Sequence, residues 1–289
     1  MNQLYLKMVN FITNQLKDQK ISIHHPAIKN DQKAFDSNKP LNVQESIINK
    51  KELKSKKGEE TKEIVIINQN ILDVDIESLI NIIPAIKKDL SNAKTLKGIT
   101  SSQSILDSSE EDLLKLRLHG LDQLYLLIET GSDQTLNFYN KHLTIHQEKI
   151  ALKKLKKVGI NYSIVTVIGA GGNGLSDRHA IETAKLINHV DAEELILLTI
   201  DAEDLSSLKE EEREGFVILT PRESLEEELM LLNHINTNIK INGNHSSNTI
   251  SLSGKFPQDK EEIISQLEDK LYNWEEENKK SFRDFLKIF

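Results

Sequence analysis

Two short stretches of the sequence bring chemistry-bearing residues to what read as strand ends. The first is Leu126-Leu-Ile-Glu-Thr-Gly-Ser132, in which a carboxylate, Glu129, leaves an apolar strand directly and is followed by Thr130 and Gly131. A carboxylate in that place is costly to bury without a partner, so it points either to a ligand or to a cap on the next turn. The second is Val165-Thr-Val-Ile-Gly-Ala-Gly-Gly-Asn-Gly174, where a β-branched strand runs through Ile168 into four glycines within six residues, Gly169, Gly171, Gly172 and Gly174. Glycines let backbone N–H groups approach a ligand closely, and the helix expected from Ser176 would favour negative charge at its start. The spacing is neither that of a P-loop nor that of a dinucleotide fingerprint. It fits a ligand loop and a plain strand-to-helix turn equally.

The nine histidines form no His-Glu-x-x-His pattern or other metal-ligand spacing. His179, early in the helix after the glycine loop, and His245, in Asn242-Gly-Asn-His-Ser-Ser-Asn248, are the two candidates for a site. His24 and His25 are adjacent, so in regular structure their side chains diverge. The chain has no Gly-x-Ser-x-Gly elbow, and no paired carboxylates stand out from its acidic helices. It also has no cysteine, which removes disulfides, thiolate metal sites, cysteine nucleophiles and cysteine-ligated clusters together.

These residues need a frame, and from residue 61 onward the sequence supplies one. Short β-rich runs alternate with helical patterns, the signature of βαβ units and a parallel sheet. The expected strands are 63–68, 96–100, 123–128, 160–168 and 194–199, with an earlier one at 4–12, six in all. Ser109 and Asp112 open one helix that carries Leu113, Leu116 and Leu118 and is closed by Gly120. Thr144 and Gln147 make a capping box for the next, whose Ala151, Leu155 and Val158 precede Gly159. Pro84 should kink or end the helix around Ile76, Leu79, Ile80 and Ile83. After 199 come acidic helices, a short run at 238–241, and two closing helices from Pro257 to Leu271 and from Trp274 onward. In a parallel barrel the C-terminal strand ends form the ligand face, so Glu129 and Gly169 belong to one rim.

Net charge is −8, with acidic runs at 201–214, 223–228 and 261–277, so no nucleic-acid partner is expected. Lys50, Lys51, Lys54, Lys56 and Lys57 read as a solvated helix end. No run approaches the roughly 20 apolar residues of a membrane helix and no signal-peptide layout is present, which predicts a cytoplasmic protein without membrane attachment.

Between residues 63 and 270 the sequence resembles a bacterial branch of the radical SAM superfamily. The resemblance rests on His119-Gly-Leu-Asp-Gln-Leu-Tyr-Leu-Leu-Ile-Glu-Thr-Gly-Ser-Asp-Gln-Thr-Leu136, on the stretch from Val158-Gly-Ile to Gly172, and on Arg178-His-Ala-Ile-Glu-Thr-Ala184. It closes with Asn244-His-Ser-Ser-Asn248 and Gly254-Lys-Phe-Pro-Gln-Asp-Lys260. It implies a (β/α)6 partial TIM-like barrel with S-adenosyl-L-methionine (SAM) lying across the C-terminal strand ends. The implied parts are a divergent segment 1–60 in place of the cluster-binding region, a barrel core 61–200 and a mostly helical extension 201–289. Three cysteines after the first strand would bind a 4Fe-4S cluster that cleaves SAM reductively. With Ile12-Thr13 as that strand's end and Phe35 as the aromatic that follows, their places fall on Leu16, Ile21 and His24, so no 4Fe-4S cluster is expected.

At Asn68-Gln-Asn70, where the superfamily offers glycines and an acid to the SAM amino group, amides stand instead. By position, the resemblance implies that Glu129, Thr130 and Gly131 face the ribose or amino end of SAM or a related nucleoside and that Ile168 and Gly169 face the adenine, with Gly171 and Gly172 as further cofactor-binding candidates. His179 and His245 match branch motifs without an assigned role. The implied protein is a catalytically silent pseudoenzyme that binds a small ligand or a protein partner. The alternatives are an enzyme of another class using the rim on a nucleotide-like ligand, and a decayed paralogue.

Overall fold

The computed structural model describes residues 20–24, 63–67, 70–89, 95–138, 143–201 and 215–286. The strands are β1 (Lys20–His24), β2 (Glu63–Ile67), β3 (Thr95–Thr100), β4 (Gln123–Leu127), β5 (Asn161–Ile168), β6 (Glu194–Thr199), β7 (Ile239–Asn242) and β8 (Ser253–Phe256). The helices are α1 (Ile76–Asp89), α2 (Ser102–Asp107), α3 (Glu110–His119), α4 (Asp133–Phe138), α5 (Ile145–Val158), α6 (Gly172–Asn188), α7 (Pro221–His234) and α8 (Lys260–Leu286). The expected first strand at 4–12 lies outside the described residues. The chain divides into two compact units, and β5 contributes its first three residues to one and the rest to the other.

The first unit holds β1 to β4 with α1, α2, α3 and α5. Its strands pair in parallel in chain order, with Lys20 opposite Glu63, Glu63 opposite Thr95 and Lys97 opposite Gln123. Strands β3 and β4 are buried almost throughout, as strands of a parallel sheet covered on both faces must be. Asp122, at the entry to β4, accepts from Lys87 Nζ at 2.9 Å, Arg117 Nη1 at 2.8 Å and the Leu96 N–H at 2.9 Å, which ties α1 and α3 to β3. Lys154 on α5 donates to the carbonyls of Ile105, Leu106 and Ser108 and so closes the end of α2.

Two sequence expectations in this unit are corrected. Leu118 is 76 % exposed while Leu113 and Leu116 are fully buried, because two steps of 100° carry it round to the far side of α3 from Leu116. Helix α1 continues through Pro84 to Asp89. Pro84 faces solvent, where the Ile80 carbonyl it leaves without a donor can be hydrated, and the buried Ile83 and Ile86 hold the helix on either side.

The second unit contains the rest of β5, strands β6 to β8, and α4, α6, α7 and α8. From its second residue to its last, β5 is buried. Strand β7 pairs in parallel with β6, Glu194 opposite Lys240, and β8 closes antiparallel on β7, Ile239 opposite Phe256. Thus the region after 201, read as mostly helical, also carries a strand pair. Helix α7 opens on a complete capping box, Thr220 with Glu223, with Pro221 in the first turn, and packs on both α6 and α8. The two expected closing helices are one, α8, since no glycine or proline interrupts 260–286. Among the described residues no helix is long and apolar enough to cross a membrane.

Candidate functional site

The turn after β4 is fixed almost entirely by its own backbone. Ile128 N–H donates to the Val165 carbonyl at 2.9 Å, and the Glu129 carbonyl accepts from Val167 N–H at 3.3 Å and the Thr166 hydroxyl at 3.1 Å. The chain therefore keeps pairing alongside β5 past the end of the strand, and Glu129 is left only 5 % exposed. Thr130 Oγ1 accepts from Ser132 N–H at 3.0 Å, a side-chain turn that bends the chain into α4. Gly131 donates its N–H to Thr183 Oγ1 at 2.8 Å. A Cβ there would stand 2.5 Å from both the Glu182 carbonyl oxygen and Thr183 Cα, so α6 approaches closely enough to admit only glycine.

The loop after β5 begins at the buried Ile168, whose carbonyl accepts from Ile200 N–H at 3.0 Å. Gly169 has φ +84°, in the left-handed region that glycine enters freely, and a Cβ on it would meet Ile200 Cγ2 at 2.7 Å. Its N–H donates to Glu227 Oε1 at 2.6 Å. Ala170 N–H bonds the Val167 carbonyl, Gly172 N–H the Gly169 carbonyl and Asn173 N–H the Val217 carbonyl. A Cβ on Gly171 would press on the Leu175 carbonyl at 2.8 Å. Helix α6 therefore starts at Gly172 rather than at Ser176, because the Val217 carbonyl takes a first-turn donor that a capping side chain would otherwise serve. Ser176 instead donates its hydroxyl to Glu227 Oε2 at 2.6 Å.

Sequence reasoning missed Glu227. It supplies from inside the protein the negative charge that the glycine loop and the start of α6 favour. Its neighbour Glu228 is also buried, both carboxylates being 2 % exposed. Burial, and then the adjacent Glu227, push the Glu228 carboxyl up to about 8. The signal was there: 228 falls three residues after Leu225 and four before Leu232, on the apolar stripe of α7, but the acidic run around it disguised the position.

His179 is fully buried between the two loops. Its Nδ1 lies 2.8 Å from Thr130 Oγ1, and its Nε2 faces Glu227 Oε1 at 3.4 Å without hydrogen-bond alignment. Burial lowers its basicity more than Glu227 and the Val167 carbonyl raise it, so the imidazole is held below its ordinary range. His245 sits elsewhere in the same unit, in the loop after β7, where Nδ1 accepts from Ser247 N–H at 3.0 Å. Asn248 fastens that loop to β6, accepting from Thr199 Oγ1 at 2.9 Å and donating to the Leu197 and Gly243 carbonyls.

The family model of the radical SAM superfamily matches residues 31–187, more than half of the chain. The chain belongs to the radical SAM superfamily. Of the solved structures, the archaeal Elp3 of Methanocaldococcus infernus, with residues 1–46 deleted, superposes over 72 % of this chain and 54 % of its own at TM-score 0.52 and 12 % identity. The HemN coproporphyrinogen III oxidase of Escherichia coli, described as a radical SAM enzyme, covers 60 % of this chain and 40 % of its own at TM-score 0.48 and 10 % identity. The chain thus spans about half the length of the structures it matches. No curated protein matches it. The fold is the α/β, mostly parallel, TIM-like architecture of that superfamily.

Radical SAM proteins imply a cluster and SAM, and the residues of this chain do not fit the first. Thiolates hold such clusters, and this chain has none to offer. Among the described residues no group of three or more His, Cys, Asp or Glu could hold a metal ion. The alignment of the cysteine places is corrected: Ile21 and His24 lie within β1, paired with Ile64 and Ile67, and not in a loop after a strand. Leu16 lies outside the described residues, as do His25, Phe35, Asn68, Gln69 and the Lys50–Lys57 stretch. Asn70, in the first unit, has its amide engaged. It donates to Ser101 Oγ at 3.2 Å and Ser104 Oγ at 2.5 Å, and accepts from Thr100 Oγ1 at 2.6 Å and Leu72 N–H at 3.1 Å.

Proposed function

We propose that this radical SAM protein works without an iron–sulfur cluster, is silent in radical chemistry, and holds a small adenosyl-type nucleoside against the turn at Glu129–Gly131 and the loop at Ile168–Gly172. The absence of cysteine from a chain of this superfamily carries the reading, because reductive cleavage of SAM needs the thiolate-held cluster to deliver the electron. Two further features support it. Both loops follow parallel strands at their C-terminal ends, and each carries a glycine whose neighbours leave no room for a Cβ. Such a rim is preorganised, so a ligand that fits it loses little ordering free energy on binding. Most of the N–H groups in the glycine loop already bond within the protein, which leaves shape and apolar contact with the base as the main means of holding the ligand, with Glu129 proposed to contact it from the neighbouring turn.

Without an iron contact the expected dissociation constant lies roughly between micromolar and millimolar. Calorimetry with SAM, S-adenosylhomocysteine and adenosine tests the reading. Glu129→Ala should weaken binding by roughly 10-fold to 100-fold, the scale of one hydrogen bond to a charged group. No heat from any of the three at millimolar ligand, with the protein folded by circular dichroism, would exclude the proposal.

A further inference from the structure

We infer that His179 is a positioning residue whose ring couples the turn after β4 to the loop after β5, so that the two loops move as one. Thr130 Oγ1 accepts the Ser132 N–H at 3.0 Å and lies 2.8 Å from His179 Nδ1, where its hydroxyl hydrogen has an acceptor within reach. The inferred tautomer makes Nδ1 the acceptor and puts the proton of the neutral ring on Nε2, the edge that faces Glu227 Oε1 at 3.4 Å. Glu227 in turn receives the Gly169 N–H at 2.6 Å and the Ser176 hydroxyl at 2.6 Å. A buried path therefore runs from Ser132 through Thr130, His179 and Glu227 to Gly169, crossing α6 and α7 on the way.

A histidine that only filled space would have no reason to be polar on both edges at these partners. Here His179, Thr130 and Glu227 are nearly or wholly inaccessible, and Nε2 faces Glu227 Oε1 at 3.4 Å without an aligned hydrogen bond, with the Val167 carbonyl also acting on the ring. Movement of the turn at Thr130 shifts the ring, the ring shifts the carboxylate, and the carboxylate holds the Gly169 N–H. That a ligand on one loop is felt at the other rests on the rim reading above; the coupling itself does not.

The test uses hydrogen exchange in the full, ligand-free chain, so its failure and that of the ligand reading are separate results. Thr130→Val touches only the far end of the path, yet should lower protection of the Gly169 amide about tenfold beyond any change in the amides of α5. Thr130→Ser should restore it. In His179→Gln, which keeps a donor at the Nε2 edge but loses the Nδ1 acceptor, Thr130→Val should no longer change Gly169. Unchanged Gly169 exchange in Thr130→Val, or an effect that persists in the His179→Gln background, overturns the inference. Should Thr130→Val not fold, imidazole 15N shifts of the wild-type protein decide: the proton on Nε2 supports the path, and the proton on Nδ1 breaks it.

Discussion

Replacing Glu228 by glutamine should stabilise the protein, and by an amount that depends on pH in a calculable way. An unfolded glutamate loses its proton near 4.5, whereas the buried Glu228 carboxyl loses it at about 8. Between those values the folded chain binds a proton that the unfolded chain has released, so stability falls as pH rises across the window. Each pH unit costs about 1.4 kcal/mol, which makes the penalty small at pH 5, about 3 kcal/mol at pH 7, and constant above pH 8. Glutamine fills the same volume and binds no proton, so it removes the slope and leaves a pH-independent offset. Denaturant unfolding of wild type and Glu228→Gln at pH 5, 6, 7 and 8 reads it directly. The stability gap should widen by about 3 kcal/mol from the lowest to the highest pH. Parallel curves would show that Glu228 is ionised in the folded protein and that the burial argument is wrong.

Three further outcomes follow from the same geometry. Anaerobic reconstitution with iron and sulfide should leave the protein colourless; stoichiometric iron with a brown visible absorbance would refute the cluster-free reading. Gly131→Ala should cost about 3 kcal/mol, the upper end for overpacking, because its Cβ meets backbone of α6 that cannot step aside; thermal unfolding within a degree of wild type would contradict this. His179, held below its ordinary range, should stay neutral where a free histidine protonates, so stability present above pH 6.5 is lost as pH falls below it, and His179→Asn should flatten that acid limb in denaturant unfolding.

The frame of this protein was legible because its signals are local. β-branched runs broken by glycine placed β3, β4, β5 and β6 to within a residue or so, and the Ser109 cap and Gly120 stop placed α3. The misses share a different cause, since each depended on a partner far along the chain. Helix α6 starts early because Val217, more than forty residues on, supplies an acceptor, and Gly131 is glycine because Thr183 lies against it. Glu227 and Glu228 looked like two more charges in an acidic helix, and only the fold shows that one of them meets Gly169 and Ser176. β8 gave little warning, since its pairing partner β7, rather than its own composition, makes it a strand.

The same carboxylate bears on which ligands the rim can accept. A glycine loop leading into a helix is ordinarily a place for phosphate, because the exposed N–H groups and the helix dipole both favour an anion. Here Glu227 already holds the Gly169 N–H and the Ser176 hydroxyl, so the favourable charge is in place before any ligand arrives. A phosphate brought to the loop would have to displace that carboxylate or lie beside it, and two like charges in a partly buried site repel. An uncharged nucleoside meets no such cost, and a cationic one gains. Adenosine should therefore bind at least about tenfold more tightly than its 5′-monophosphate, the reverse of the order at a phosphate-binding loop. Glu227→Gln should narrow the gap by removing the competing charge, while Glu226→Gln, exposed on the same helix and paired with Arg222, should leave it unchanged. Equal affinity for the two ligands in the wild-type protein would mean that the nucleoside, if it binds, lies away from the Gly169 loop.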